Sequence, residues 1–188
     1  MNTQAIVGST IIDGTGSEPV VKGTILIRDG KIVEVGSADN VIVPPDATTI
    51  DATGKFTMPG IIDSHVHVSP NQDLPEDVRL NLRVGFNAIN TLRQSLGAGV
   101  TTVVSIGGGP PAVELTNAIK EGYVDKCANQ ITAGVVNASG GHVRGIHADG
   151  PWEIRKAVRK LASAGCTMIK TAATGGFQWE HERVHWPD

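Results

Sequence analysis

The feature of this sequence that most constrains its fold is an alternation of short β-branched runs with longer amphipathic runs after residue 57. Four strand-like runs occur in the order "GIIDSHVHV", "VTTVVSIGGG", "QITAGVVNASGG" and "CTMIK". A helix-like run separates each from the next, and strands joined by helices of this length pair in parallel with right-handed crossovers. The alternation predicts an α/β fold, either a doubly wound sheet or a TIM-type barrel.

Helical periodicity is clearest in the first and last helix-like runs. In 78–99, apolar residues recur at helical spacing, at Leu82, Phe86, Ile89, Leu92 and Leu96. The run 150–165 has a proline near its first turn and one apolar face, formed by Ile154, Val158, Leu161 and Ala162. We expect these apolar faces to cover the strands.

Residues 1–56 have a different character, because short β-branched runs there alternate with turn signals. Asp29-Gly30 lies between "TILIR" and "KIVEV", and this dipeptide favours the type I′ turn of a β-hairpin. We predict a small β-sheet unit over 1–56, with too few strands to close a sandwich by itself, and a second unit over 57–188.

Composition excludes several classes of protein. The net charge is −3 with no basic cluster, so neither a nucleic-acid surface nor a membrane surface is indicated. No apolar run approaches the roughly 18 residues of a membrane span, and no signal peptide is recognisable. Cys127 and Cys166 lie far apart in segments that read as buried, so a disulfide framework is not expected. We expect a soluble, cytoplasmic protein.

Two histidines separated by one residue, His65 and His67, end the first strand of the second unit. Residues two apart on a strand share a face, so Asp63 and both imidazoles are predicted to point the same way. Neutral imidazole is a good ligand for zinc and related metals, and Asp63 could orient one of the two rings. The alternative is that both are ordinary strand histidines. The Pro-Gly entry and the position at the strand's carboxyl end favour a metal site.

Four motifs, "MPGIIDSHVHV", "GAGVTTV", "ASGGH" and "MIKTAATGG", follow one another along the chain. Their order and rough spacing resemble the amidohydrolase superfamily, in its imidazolonepropionase-like and Xaa-Pro or Xaa-Arg dipeptidase-like branch. The resemblance implies that 1–56 is an incomplete β-sandwich unit and that 57–188 is the first half of a metal-dependent hydrolase barrel of the (β/α)8 type. It covers essentially the whole chain.

The resemblance also implies roles for two further residues. Lys170 matches the lysine that adds CO2 to become a carbamate and bridges two metal ions. The likeness implies that these ions are zinc and that His65 and His67 hold one of them. A salt bridge to a barrel carboxylate is the alternative for Lys170, since a buried lysine must be neutralised, paired or modified. His142 resembles a position that contacts the substrate carbonyl or carboxylate, and its alternative is a surface histidine after a glycine turn.

In the family, further metal-binding histidines and the aspartate that serves as general base lie on later barrel strands, beyond residue 188. We therefore expect no complete catalytic set within this chain and no activity from the 188 residues alone. Half a barrel exposes sheet edges and apolar strands. The chain by itself is expected to fold poorly, or only as an oligomer or with the missing half, and the intact form is expected to be a homo-oligomer.

The predicted activity is hydrolysis of the amide bond of a dipeptide or N-acyl amino acid by metal-activated water. Two alternatives stay open: a hydrolase of cyclic amides, as in imidazolonepropionase, and a scaffold that retains the fold without turnover. Lys170 leans toward the binuclear peptidases.

Two sequence details count against simpler interpretations. "HERVH" at 181–185 matches the H-E-x-x-H zinc-protease pattern, but no amphipathic helix surrounds it, as that motif requires. Many members of the branch have Arg-Asp where this chain has Val104 and Ser105, which leaves the second strand's contribution to the site open.

Overall fold

The fold is that of a computed structural model, which describes residues 2–68, 78–142, 145–172 and 175–176, with backbone alone at 78–81. The chain divides into two compact units, Met1–Pro59 and Gly60–Asp188. Among the described residues, no helix is long and apolar enough to cross a membrane.

The first unit contains one five-stranded mixed sheet in the order β3-β2-β1-β4, with β5 also paired to β1. Its strands are β1 (Thr3–Ile11), β2 (Val20–Arg28), β3 (Lys31–Ser37), β4 (Thr48–Asp51) and β5 (Phe56–Thr57). Strands β1, β2 and β3 pair antiparallel, while β4 and β5 run parallel to β1. The hairpin predicted at Asp29-Gly30 is confirmed between β2 and β3, and both turn residues have positive φ, 48° and 77°.

One face of this sheet holds a small apolar core of Ala5, Leu26 and Val41. Other apolar residues of the unit, such as Ile32 and Val35 on edge strand β3, are exposed. An exposed edge strand is expected of a sheet with so few strands, because the outer side of that strand has no neighbour to cover it.

The second unit contains a parallel sheet in the order β10-β8-β7-β6, with the short strand β9 paired to β8. Its elements are β6 (Ile61–Val66), α1 (Val78–Gly97), β7 (Val100–Ile106), α2 (Gly109–Lys120), β8 (Asn129–Asn137), β9 (Ile146–His147), α3 (Pro151–Ser163) and β10 (Met168–Ala172). The predicted alternation of parallel strands and helices is confirmed, and β9 is an addition to it. The α/β class is therefore confirmed, whereas closure into an eight-stranded barrel stays a prediction.

Two apolar clusters pack the helices against this sheet. Leu92 of α1 lies against Val103 and Ala128, and Leu161 of α3 lies in a cluster with Val136. The contact of Leu161 with the sheet requires glycine at position 134, since a Cβ there would lie 2.7 Å from a Leu161 methyl carbon.

The predicted buried faces of these helices are wrong in part. In α1 the sheet-facing residues are Ala88 and Leu92, while Leu82 and Phe86 are exposed. In α3 the buried residues are Ala157 and Leu161. Small residues let a helix approach the sheet closely, so the packed face lies to one side of the stripe of large apolar residues.

Candidate metal site

The entry to β6 is fixed by close contact with the neighbouring strand. A Cβ on Gly60 would lie 2.1 Å from the Cγ2 atom of Thr101, a distance that no side chain could accept without displacing its neighbour. The N–H of Ile61 donates to the carbonyl of Gly99 at 3.0 Å. The Pro-Gly step therefore admits the chain into the sheet and sets where β6 begins.

At the other end of β6, the rings of His65 and His67 lie together. Their centroids are 5.7 Å apart and their planes are tilted by 60°. Two imidazoles that bind one ion at the usual zinc–nitrogen distance with tetrahedral angles would have centroids about 5 Å apart. Both rings reach solvent, so the pair fits a single metal ion after a small adjustment.

The predicted face of Asp63 is wrong, because β6 does not alternate strictly. Asp63 pairs with Val103 and Val66 pairs with Ser105, so three residue steps on β6 match two on β7. Paired residues share a face, which assigns Asp63 to the helix-covered face of Val103 and His67 to the opposite face. The Asp63 carboxylate accepts a hydrogen bond from the backbone N–H of His65 at 3.1 Å; the partner of this carboxylate is the main chain and not an imidazole.

The pairing register assigns Lys170 to the same face as His67. Lys170 pairs with Val135 on β8, and β8 pairs in turn with β7 so that Ile106 lies beside Ala133. Side chains alternate between the two faces of each strand, and the face away from the helices carries Ile106, Ala133 and Val135. His67 lies on that same face. Lys170 therefore lies three strands away from the histidines on their own face.

The charges of Lys170 and His65 affect the pKa of His67. The pKa of His67 is held below its usual value, first by partial burial and then by the positive charges of Lys170 and His65. A lowered pKa keeps the imidazole neutral near pH 7, which is the form that binds metal. In the described ranges the ion pair present is Arg93–Asp125, at 3.8 Å, so no described carboxylate forms the salt bridge that was the alternative for Lys170.

His142 follows β8 in a loop that other side chains hold in place. The side-chain amide of Asn137 donates to the His142 carbonyl at 2.6 Å. Farther along the loop, the Asp149 carboxylate accepts hydrogen bonds from the Ser139 N–H, at 3.0 Å, and from its hydroxyl. These bonds lower the pKa of Asp149, with the hydroxyl bond contributing most. The role of His142 toward a substrate stays a prediction.

Sequence reasoning missed Asn137, Asp149 and the role of Ser105. Asn137 is almost fully buried at the end of a strand, where asparagine is disfavoured, and that mismatch was the available signal. Ser105 is fully buried on β7. Nothing in a single sequence marks a serine in a β-branched run as one that bonds to the neighbouring strand.

Within the described ranges, no three His, Cys, Asp or Glu side chains lie together. The "HERVH" segment lies outside those ranges. The chain therefore offers two imidazoles and one lysine on a shared face, which is about half of the ligand set of a tetrahedral or binuclear zinc centre.

Sequence comparison finds related enzymes over about half of the chain. An enamidase of Eubacterium barkeri is 34% identical over 98 residues, 52% of this chain and 23% of that protein. A dihydroorotase of Anaeromyxobacter dehalogenans is 38% identical over 108 residues, 53% of this chain and 24% of that protein. An L-hydantoinase of Paenarthrobacter aurescens is 36% identical over 90 residues, 48% of this chain and 18% of that protein. No protein-family model matches the chain, and the matched stretch spans about a quarter or less of each relative.

Solved structures match nearly the whole chain. An amidohydrolase structure superposes with a TM-score of 0.75 at 28% identity, covering 97% of this chain and 49% of its own. Molinate hydrolase gives a TM-score of 0.73 at 26% identity, covering 92% and 45%. A Xaa-Pro dipeptidase with bound methionine in its active site gives 0.75 at 23% identity, covering 93% and 48%, a likeness that concerns the fold alone. The chain thus spans about half the length of these structures.

Proposed function

We propose that the chain, which is similar in sequence to an enamidase and a dihydroorotase and in fold to an amidohydrolase, belongs to the amidohydrolase superfamily and forms part of a metal-dependent hydrolase that cleaves a C–N bond with an activated water. The observation that carries the proposal is the placement of His65, His67 and Lys170 on one face at the carboxyl end of the parallel strands. Ligand sites of α/β proteins lie at this end.

In this proposal, His65 and His67 donate their lone pairs to one divalent ion, zinc by preference for imidazole. The neutral amine of Lys170 attacks CO2, a nitrogen–carbon bond forms and a proton leaves to solvent. The resulting carbamate would be an anion with two oxygens, a suitable ligand for divalent ions held at this site. Divalent ions held at this site would stabilise the carbamate anion once it has formed.

Divalent ions bound there would polarise the substrate carbonyl and bring the pKa of water toward about 7. His142, on the loop that Asn137 and Asp149 hold, would orient the substrate's carbonyl or carboxylate.

The proposed substrate is the amide bond of a dipeptide or an N-acyl amino acid. The likeness to a putative prolidase of Bifidobacterium longum, with a TM-score of 0.74 at 28% identity over 93% of this chain and 42% of that one, supports it. A cyclic amide is the second candidate. It is supported by the sequence similarity to the dihydroorotase and the L-hydantoinase, which are 38% and 36% identical to this chain over the matched residues. Turnover of a dipeptide panel and a cyclic-amide panel by a chain that includes the remaining strands distinguishes the two.

Metal binding can be measured on the 188 residues, alone or as the oligomer expected of them, after circular dichroism has shown that they are folded. We expect zinc titration of the chain to give saturable binding, and His65→Ala or His67→Ala to weaken it by more than about 10-fold to 100-fold, the loss typical of residues that merely support a ligand. The double variant His181→Ala/His185→Ala is the matched control and should bind zinc as the parent does. Unchanged binding in both single variants, or loss in the control alone, would overturn the proposal.

A further inference from the structure

The segment that carries the two histidines is irregular where a regular strand would be expected. Between Asp63 and Val66, β6 has one residue more than β7. An extra residue of this kind, a β-bulge, leaves part of the ladder unpaired and changes the direction of nearby side chains. His65 lies within the bulge, and His67 follows it directly.

At the start of this segment, a side chain replaces the missing ladder bond. The Asp63 carboxylate accepts from the backbone N–H of His65 at 3.1 Å. This is an Asx-type turn, in which a side chain two residues earlier fixes the direction of the main chain. The bond therefore constrains the backbone from which the His65 ring projects.

At the end of the segment, a side chain of the neighbouring strand β7 also forms a hydrogen bond with the main chain. Ser105 is fully buried, and its hydroxyl oxygen accepts from the backbone N–H of Val68 at 3.4 Å. Regular pairing of β6 with β7 ends at Val66. The hydroxyl thus extends the connection by two residues, past His67, although the bond is long.

The geometry points to Asp63 and Ser105 as a pair of positioning residues that set the two imidazoles for a shared divalent cation. Each bonds a main-chain N–H next to or within the His65–His67 step, one at either end. Together they hold the ring centroids 5.7 Å apart, close to the separation that one zinc ion requires. This inference rests on the proposed metal site and adds to it the groups that hold its two rings in register.

Ser105→Ala removes one hydroxyl group and with it the hydrogen bond from the Val68 N–H. We expect the affinity of the chain for Co²⁺ to fall by about 10-fold to 100-fold, the usual loss when a group that orients a ligand is deleted. The visible absorption of the bound cobalt should also change in intensity, because the angle between its ligands changes. The thermal unfolding midpoint, followed by circular dichroism, shows whether the variant is folded.

Ser9→Ala is the matched control, since Ser9 is also a fully buried strand serine. Within the part of the chain that the structure describes, its hydroxyl has no hydrogen-bond partner. Ser9→Ala should leave cobalt affinity and spectrum unchanged. Equal losses in the two variants would show a general effect of serine removal and would overturn the inference.

Asp63 supplies the second test, through two substitutions that differ in one respect. Asp63→Asn keeps an oxygen that can accept from the His65 N–H, whereas Asp63→Ala does not. We expect Asn to retain cobalt affinity within about 3-fold and Ala to lose about 10-fold or more. Equal losses would assign the effect to the carboxylate charge and would contradict a positioning role.

The metal site and the positioning role of Asp63 and Ser105 are tested separately by these variants. If His65→Ala and His67→Ala abolish binding while Ser105→Ala and Asp63→Ala do not change it, the positioning inference falls and the metal site stands. If the histidine variants bind as the parent does, the metal site itself falls.

Discussion

The inner and outer strands of the parallel sheet differ in what their residues do. On β7 and β8 most side chains are buried on both faces, whereas β6 and β10 are largely exposed. Of the three proposed metal ligands, His65 lies on β6, His67 follows the last residue of β6, and Lys170 lies on β10. Within the described residues, the most buried strands and the proposed ligands thus lie on different strands of one sheet.

Several buried polar side chains of the inner strand β8 form hydrogen bonds with the helix that covers it. The hydroxyls of Thr116 and Thr132 lie 2.9 Å apart, and the Gln130 side-chain amide donates to the carbonyl of Ala112 at 3.0 Å. Buried polar groups with partners add little cost and favour one arrangement of helix against strand. On the outer strands the corresponding positions are open, and there a polar side chain can serve a ligand.

The difference between inner and outer strands should be largest at two aliphatic residues of neighbouring strands, Val103 and Ile62. Val103→Ala on β7 removes a side chain that is 1% exposed, and we expect it to lower the free energy of unfolding by about 2–4 kcal/mol. Ile62→Ala on β6 removes more atoms, but that side chain is 64% exposed, so the loss should stay below about 1 kcal/mol. Chemical denaturation measures both, and equal losses would contradict the division between inner and outer strands.

The contact between β6 and β7 gives the next largest effect. Gly60→Ala places a methyl group against Thr101 and should destabilise the chain by about 1–3 kcal/mol. Gly85→Ala in α1 is the control, because nothing lies within 4 Å of a Cβ there. It should stabilise the chain by up to about 1 kcal/mol, since alanine is the better helix former. Opposite signs are the expected result, and a neutral Gly60→Ala would show that the close approach is not needed.

The sequence allowed the strand and helix order of the second unit to be predicted because its periodicities are strong. The Asp29-Gly30 turn and the His65–His67 pair were predicted for equally local reasons. The bulge after Asp63 was not predicted, because the pattern of a single strand implies strict alternation of its side chains. The register of a strand depends also on its partner strand, which that pattern does not describe. The packed face of α1 was also missed, since small residues such as Ala88 contribute little to an apolar stripe and yet set the distance between helix and sheet.

The smallest predicted effect concerns the loop that carries His142. The folded pKa of Asp149 lies below its ordinary value of 3.8, so its bonds to Ser139 stabilise the loop above that pH. This contribution is lost as the pH falls through the lower, folded pKa. Asp149→Asn should therefore lower the unfolding midpoint slightly at pH 7 and not at all at the acid end.

Ser139→Ala serves as the control for that loop. In a Ser139→Ala background the carboxylate has lost its principal partner, and the pH-dependent difference between Asp149 and its Asn variant should largely disappear. A difference of the same size in both backgrounds would assign the effect to a group other than Ser139.

The proposed site depends on the imidazoles of His65 and His67 sharing one metal ion. X-ray absorption spectroscopy of the zinc-loaded chain tests it most directly, because it counts the imidazole nitrogens at the usual zinc–nitrogen distance of about 2.0–2.1 Å. We predict two imidazoles in the parent and one in His67→Ala. A shell of sulfur from Cys127 or Cys166, or an imidazole count that His67→Ala does not change, would contradict the account.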